Sequence, residues 1–213
     1  MAELSEELAG GGKVEGSGLR TITREAALEL RGYKHACHVM LHAPDPDSKL
    51  FGRIPLRHAV LMMMRFDGRL GFPGGFVDPE DVSLEDGLTR ELTEEVGWGE
   101  NLCPITEEDH LSCQVREHPQ KMVTHFYAKQ LTLEELSGIE VSATHAKEHG
   151  LEVMGMVRVP LFTMRDGSGG LPAFLSNHFI GNSRSQLLYG LRVLKLVRED
   201  KLWEATRASQ GVR

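Results

Sequence analysis

Residues 71–98 read GFPGGFVDPEDVSLEDGLTRELTEEVGW, and this stretch joins a glycine-rich loop to a helical pattern. Ser83 with Asp86 is placed to cap the first turn of a helix. Apolar residues that recur every four positions predict a helix with one buried face. These positions are Leu84, Leu88 and Leu92.

Three carboxylates share another face of the predicted helix. Glu91, Glu94 and Glu95 stand at positions i, i+3 and i+4, and 3.6 residues per turn puts them side by side. Like charges at this spacing repel each other by about 0.2–0.5 kcal/mol per pair. A divalent cation would offset that repulsion, because Mg²⁺ and Mn²⁺ prefer carboxylate, carbonyl and water oxygens. The acidic face therefore indicates a metal site.

An acidic triplet alone is also typical of a solvated helix face, because Asp and Glu are mostly exposed. The loop before the helix favours the functional interpretation. Gly74 and Gly75 allow backbone angles and close approaches that a side chain would block. Loop and helix together predict a site for phosphate and metal.

Length and composition fit one globular domain. The chain has 213 residues, of which 40% are hydrophobic, and this is enough to fill a single core. Residues 1–18 include seven glycines or serines, which predicts a disordered N-terminal tail. We expect the domain to span residues 19–200 and a flexible C-terminal tail to span residues 201–213.

Charge and cysteine content narrow the class of protein. No segment approaches the roughly 20 apolar residues that span a bilayer, so we expect a soluble intracellular protein without a membrane partner. Cys37, Cys103 and Cys113 lack zinc-finger spacing, which predicts reduced thiols. The net charge of −7 argues against a surface that binds nucleic acid throughout, although 24 basic residues can line one groove.

Strand patterns alternate with helical patterns along the chain. Cys37, Val39 and Leu41 alternate with His38 and predict a half-buried strand over residues 35–41. Further strands are predicted over residues 58–66, 111–116, 122–131 and 152–159, and a closing helix over residues 187–197. The mixture predicts an α/β sandwich.

The loop and the acidic helix resemble the signature of a known family. Gly75, Arg90 with Glu91, the Glu94 and Glu95 pair, and Gly97 are similar to the box of the Nudix hydrolases, which cleave nucleoside diphosphates linked to another group. The resemblance implies the Nudix fold, an α/β/α sandwich with a mixed sheet.

The box departs from the family pattern at one point. Eight residues, rather than seven, separate the acid Asp81 from Arg90. A bulge ahead of Ser83 would absorb the extra residue without rotating the helix, so the three glutamates are expected to keep their geometry. The role of Asp81 is left open by this insertion.

Segments outside the box narrow the resemblance to one branch of the family. HACHVMLHAPDP, HFYAKQLTLEEL and GGLPAFLSNHFIG are similar to the branch that removes caps from U8 small nucleolar RNA. This implies capped RNA as partner and hydrolysis of 7-methylguanosine or trimethylguanosine caps with Mg²⁺ or Mn²⁺. Inosine diphosphate and related purine nucleoside diphosphates are implied as small substrates. A homodimer in the nucleus, nucleolus and nucleoplasm is also implied, with the cytoplasm as a further compartment.

The resemblance also assigns roles to individual residues. Glu95 and Glu152 are implied to be catalytic, with Glu152 as a metal ligand or general base. Arg90 is expected to pair with the acids of the box. The implied metal ligands are Gly74, through its carbonyl, Glu91, Glu94, Glu95 and Glu152. The implied nucleotide contacts are His38, Arg65, Phe72 and Gln186. Of these, Phe72 would stack a base, Arg65 would hold phosphate and Gln186 would read a purine edge.

Two other functions remain open. A housecleaning diphosphatase for purine nucleotides would use the same active site on a different physiological substrate. A non-catalytic module that binds capped RNA would keep the fold, but we would expect such a protein to have lost a glutamate of the box. All three glutamates are present in this sequence.

Overall fold

The computed structural model describes residues 18–99 and 101–211, and in this part of the chain eight strands join in one sheet. The strands are β1 (Leu19–Ile22), β2 (Lys34–Leu50), β3 (Ile54–Arg65), β4 (Leu70–Gly71), β5 (Gly74–Phe76), β6 (His110–Arg116), β7 (Met122–Gln130) and β8 (Val153–Arg158). The helices are α1 (Arg24–Leu28), α2 (Leu84–Val96), α3 (Leu133–Ser142), α4 (Leu171–Leu175), α5 (Ser183–Val193) and α6 (Glu199–Ser209). Each predicted strand is confirmed, with ends that differ by a few residues except for β2, which is much longer.

The sheet is mixed, as predicted. Its main order is β1, β6, β7, β2, β3, β4, with β2 antiparallel to β3 and parallel to β7. The short strand β5 pairs antiparallel with β2, and β8 pairs antiparallel with β3. The glycine-rich loop is therefore anchored directly on a central strand.

Helices cover both faces of the sheet. On one face, Met40 of β2 belongs to a buried cluster with Leu187 of α5 and Leu202 of α6. On the other face, Val39 of β2 belongs to a buried cluster with Leu88 of α2. Successive residues of a strand point to opposite faces, so one strand serves both cores. This arrangement confirms the predicted α/β/α sandwich.

Helix α2 forms as the sequence predicts. Ser83 Oγ accepts a hydrogen bond from the Asp86 amide at 3.1 Å and caps the first turn. Gly97 ends the helix in the left-handed region, at φ 68°. The buried residues of the helix include the predicted leucines, Leu84, Leu88 and Leu92.

The C-terminal prediction is wrong for the residues that the structure describes. Helix α6 lies inside the supposed flexible tail, and its Leu202 and Ala205 are 0% and 1% exposed in the core. The fold thus continues to Ser209. The predicted N-terminal tail lies outside the described residues, apart from Gly18. No described helix is long and apolar enough to span a membrane.

Candidate active site

The glycine-rich loop presents its backbone to helix α2. Val39 N donates to the Pro73 carbonyl at 3.0 Å, and hydrogen-bonded and non-bonded pairs alternate along an antiparallel ladder. Gly74, which lies opposite His38, therefore turns its own amide and carbonyl away from β2. Its amide donates to Glu95 Oε2 at 2.6 Å. The predicted carbonyl ligand is thus free of the strand pairing.

Both glycines are required by close contacts. A Cβ atom on Gly74 would collide with the Cys37 carbonyl and lie 2.9 Å from His38 Cα, and Gly74 has φ +123°. On Gly75, a Cβ atom would lie 2.5 Å from Glu91 Oε2. A side chain at position 74 would meet fixed backbone atoms, and one at position 75 would displace the Glu91 carboxylate, so this arrangement of loop and helix requires both glycines.

Glu95 is the most strongly perturbed acid of the site. It is 4% exposed, and burial raises its pKa to about 8, with Glu91 and Glu152 adding to the increase. The Gly74 amide and the Arg65 guanidinium act in the opposite direction. These interactions show that the structure brings the predicted residues within electrostatic reach of one another, although they come from α2, β3, β5 and the loop before β8.

The donor set suits a hard divalent cation. Burial also raises the pKa of Glu91, so two neighbouring carboxylates are desolvated without enough positive charge to balance them. Glu152 is exposed at the mouth of this group, and its backbone carbonyl accepts a 3.0 Å hydrogen bond from Phe66 N at the end of β3. Oxygen donors of this kind fit Mg²⁺ or Mn²⁺.

Glu94 lies at the edge of the site. Its carboxylate is 3.0 Å from Lys147 Nζ, in an ion pair that is largely exposed. It also contributes to the raised pKa of Glu91, so the two carboxylates are near each other. In this structure Glu94 is directed toward a lysine, in contrast to the buried Glu95.

Arg90 organises the acids next to the box, as predicted. Its Nε and Nη2 donate to the two Asp81 oxygens at 3.1 and 3.0 Å, and its Nη1 donates to Glu91 at 2.8 Å. A further bond joins Nη2 to the Phe76 carbonyl at 3.0 Å. The hydrogen bonds from Arg90 lower the pKa of Asp81. Asp81 therefore holds Arg90, and the one-residue insertion lies between two residues that still meet.

His38 and Arg65 lie together beside the carboxylates. Burial and the Arg65 guanidinium lower the pKa of His38 to about 4, so its imidazole is neutral at physiological pH. Arg65 Nε is buried without a hydrogen-bond partner, and its nearest acid, Asp67, is 3.7 Å away. A partly buried guanidinium group with an unpartnered Nε donor is suited to an anionic ligand.

Phe72 and Gln186 are both buried, which the sequence did not predict. Phe72 is 1% exposed and its ring centre lies 5.1 Å from that of Phe126, so it has no free face for a base in this structure. That Phe72 stacks a base stays a prediction, and it would require the ring to become accessible when substrate binds. Phe66 is an exposed aromatic near the site, at 58%, with the Arg65 guanidinium 5.2 Å from its ring centre. Gln186 is buried, and no hydrogen bond of its side chain occurs among the described residues.

A second group of polar side chains was not predicted. Cys113 on β6 lies directly opposite His125 on β7, and His110 and His35 complete the cluster. Their spacing along the sequence does not predict a cluster, because only the pairing of the strands brings these side chains together. All three cysteines are free thiols, as predicted.

Comparisons with known proteins identify relatives of this chain. The family described as "Nudt16-like: U8 snoRNA-decapping enzyme-like" matches residues 35–197. A U8 snoRNA-decapping enzyme from Xenopus laevis is 65% identical over 89% of this chain and 89% of its own length. A Tudor-interacting repair regulator protein from Gallus gallus is 56% identical over 90% of this chain and 60% of its own length. Among solved structures, the NUDIX domain of Shewanella oneidensis NrtR complexed with ADP ribose has a TM-score of 0.49 and 18% identity, over 83% of this chain and all of that chain.

Proposed function

We propose, from the premise that this chain belongs to the Nudt16-like, U8 snoRNA-decapping enzyme-like family of Nudix hydrolases, that it removes the cap from small nucleolar RNA by hydrolysis within the cap's phosphate bridge. The observation that carries the proposal is the group of carboxylates around Gly74, in which Glu95 is buried and bonded to the loop amide at 2.6 Å.

The residues that would hold divalent cations are Glu91, Glu95 and Glu152, with the Gly74 carbonyl as a backbone ligand. Mg²⁺ or Mn²⁺ at this position would neutralise phosphate charge and lower the pKa of the attacking water. Glu94 is the weakest member of the set, because Lys147 already pairs with it. Its carboxylate would add negative charge beside Glu91 at the edge of the site.

The chain's own groups would orient the substrate. Arg65 Nε, which lacks a hydrogen-bond partner, would donate to a phosphate oxygen. Glu152 is exposed at the entrance and could accept a proton from water or bind a cation, so it keeps both predicted roles. Arg90 would act indirectly, since its bonds to Asp81 and Glu91 fix the position of one carboxylate.

Base recognition would rest on polar groups. His38 is neutral and can donate or accept a hydrogen bond according to its tautomer. The Gln186 amide has no internal partner among the described hydrogen bonds, and an amide can read the edge of a purine. Phe66, rather than the buried Phe72, has an exposed ring that could stack a base. Inosine diphosphate and related purine nucleoside diphosphates would use the same groups.

A second candidate is a binding module without catalysis. It is favoured by the 56% identical Gallus gallus relative, whose name refers to interaction with Tudor and to repair. The complete acidic site favours hydrolysis, because a module that only binds has no need to bury Glu95 beside Glu91 and Glu152. Assembly as a homodimer and residence in the nucleolus belong to the same proposal as decapping.

The test is product analysis with capped RNA and inosine diphosphate side by side, each with Mg²⁺ and Mn²⁺. Hydrolysis in ¹⁸O-labelled water would place the label on a phosphate product. Metal-dependent release of a methylated guanosine nucleotide from the capped RNA supports decapping, and rapid hydrolysis of inosine diphosphate alone supports the housecleaning diphosphatase. Tight binding of capped RNA without any product would instead support the binding module.

A further inference from the structure

His110, Cys113 and His125 form a compact group on the paired strands β6 and β7. The Cys113 Sγ atom is 3.1 Å from His110 Nε2 and 3.2 Å from His125 Nδ1. All three potential ligand atoms lie within 4.8 Å of one another. Cys113 and His125 are buried, and His110 is partly exposed. The group shares no residue with the carboxylate site.

We propose that His110, Cys113 and His125 bind a zinc ion. Thiolate and imidazole are ligands that Zn²⁺ favours, whereas Mg²⁺ and Mn²⁺ favour oxygen. The chain would therefore hold two kinds of metal at two sites, selected by the chemistry of the ligands.

The distances are compatible with zinc after a small adjustment. Tetrahedral geometry with Zn–S of about 2.3 Å and Zn–N of about 2.0 Å separates sulfur and nitrogen ligands by about 3.5 Å. The present contacts at 3.1 and 3.2 Å are shorter, so each ring nitrogen would need to move away from sulfur by roughly 0.3–0.4 Å. The Cys113 thiol would release its proton to solvent when the metal binds.

His35 provides the orienting contact that metal-bound histidines usually have. Its Nδ1 lies 3.0 Å from His125 Nε2, and the two rings stack with centres 5.2 Å apart. A proton on His125 Nε2, donated to His35 Nδ1, leaves His125 Nδ1 free to face the metal. Tyr127 supports the other histidine, because His110 meets its ring edge-on at 5.1 Å.

The surrounding charges permit a cation. The charge of Arg24 acts on all three residues of the group. Arg24 is paired with Glu85 at 2.8 Å and Glu107 at 3.2 Å. Its charge is thus balanced by two carboxylates. Three protein ligands leave a fourth position of the tetrahedron, and the partial exposure of His110 gives water access to it.

The proposal is tested with Co²⁺ as a spectroscopic substitute for Zn²⁺, on the full chain with Mg²⁺ in excess to occupy the carboxylate site. Wild type and Cys103→Ser, which removes the exposed cysteine, are expected to show a thiolate-to-cobalt charge-transfer band that Cys113→Ser lacks. His110→Ala, at a partly exposed position, is expected to weaken Zn²⁺ binding at least tenfold while circular dichroism shows a native fold.

Zinc should also raise the Tm of wild type and of Cys103→Ser more than that of His110→Ala. Absence of the band in wild type at saturating Co²⁺ would overturn the proposal and leave a hydrogen-bonded cluster only. The same holds for a band that survives in Cys113→Ser, or one that disappears in Cys103→Ser. If Cys113→Ser does not fold, unchanged Zn²⁺ affinity in His110→Ala would be enough to reject the site.

Discussion

The Glu91 carboxylate occupies the space that a side chain on Gly75 would fill. A Cβ atom at Gly75 would lie 2.5 Å from Glu91 Oε2 and 2.6 Å from its Cδ. Gly75 of the loop and Glu91 of the helix therefore pack directly against each other, although 16 positions separate them in the sequence. This contact explains why the loop and the acidic helix occur together.

Gly75→Val should lower activity more than a substitution at a glycine with open space around it, because the new side chain displaces Glu91 from the metal site. We expect a loss of at least tenfold in kcat/KM with a raised requirement for Mn²⁺. Gly138→Ala is the matched control, since a Cβ there meets nothing within 4 Å. In the middle of helix α3 this control should stabilise the fold by about 0.5–1 kcal/mol. A fully active Gly75→Val variant would show that the contact is unimportant.

Glu95 should make the metal-free protein less stable as pH rises. Its pKa is raised from 4.5 to about 8 in the folded state, so the folded protein holds a proton that the unfolded chain has lost between these values. Stability therefore decreases from about pH 4.5 to about pH 8, at up to about 1.4 kcal/mol per pH unit. Glu95→Gln should remove this component and be more stable than wild type at pH 8 in chelator. Denaturant unfolding of both proteins at several pH values measures this pH dependence. If the unfolding free energies of wild type and Glu95→Gln changed in parallel with pH, the raised pKa of Glu95 would be contradicted.

Asp81 and Arg90 should be energetically coupled. Arg90 donates to both Asp81 oxygens, and these bonds hold the pKa of Asp81 below its usual range. We expect Asp81→Asn and Arg90→Gln to be non-additive in a double-mutant cycle. Because the pKa is depressed, the Asp81 contribution to stability is present above the ordinary pKa and is lost as pH falls through the folded value. Additive effects in both stability and metal affinity would mean that Asp81 has no role in holding Arg90.

Gln186 and Phe66 should separate base selection from base stacking. Gln186→Ala should narrow the difference in kcat/KM between inosine and adenosine diphosphates, because a polar edge contact discriminates. Phe66→Ala should weaken both substrates alike, because stacking tolerates any purine and contributes about 1–3 kcal/mol. Phe72→Ala serves as the structural comparison, since emptying its buried site should cost about 3–5 kcal/mol of stability. If the ratio of kcat/KM for inosine diphosphate to that for adenosine diphosphate were unchanged in Gln186→Ala, Gln186 would not read the base, and His38 would be the next candidate.

The sequence predicted those features that depend on local pattern. The leucine repeat and the Ser83 cap define helix α2, and alternation defines β2, because both follow from the geometry of a single element. Helix α6 was missed, since only a few apolar residues such as Leu202 interrupt a mostly polar segment. The burial of Phe72 was also missed, because contact with Phe126 depends on a distant strand.

Site residues far apart in the chain required the family resemblance. Glu152 has no local pattern that marks it, and the fold brings it near Glu95 through the pairing of β8 with β3. The His110, Cys113 and His125 cluster had neither a motif nor a resemblance to reveal it. Its members meet only through the register of β6 and β7.

The most direct test of the account is the rate of cap hydrolysis by Glu95→Gln at saturating Mn²⁺, compared with wild type and with Glu204→Gln. Glu204 is an exposed glutamate on α6 that pairs with Lys201, so its variant controls for loss of one negative charge. A neutral amide is a poor ligand for a hard cation, and we predict a loss of at least a hundredfold in kcat/KM for Glu95→Gln, with Glu204→Gln unchanged. A Glu95→Gln rate within threefold of wild type would contradict the claim that these carboxylates form the catalytic metal site.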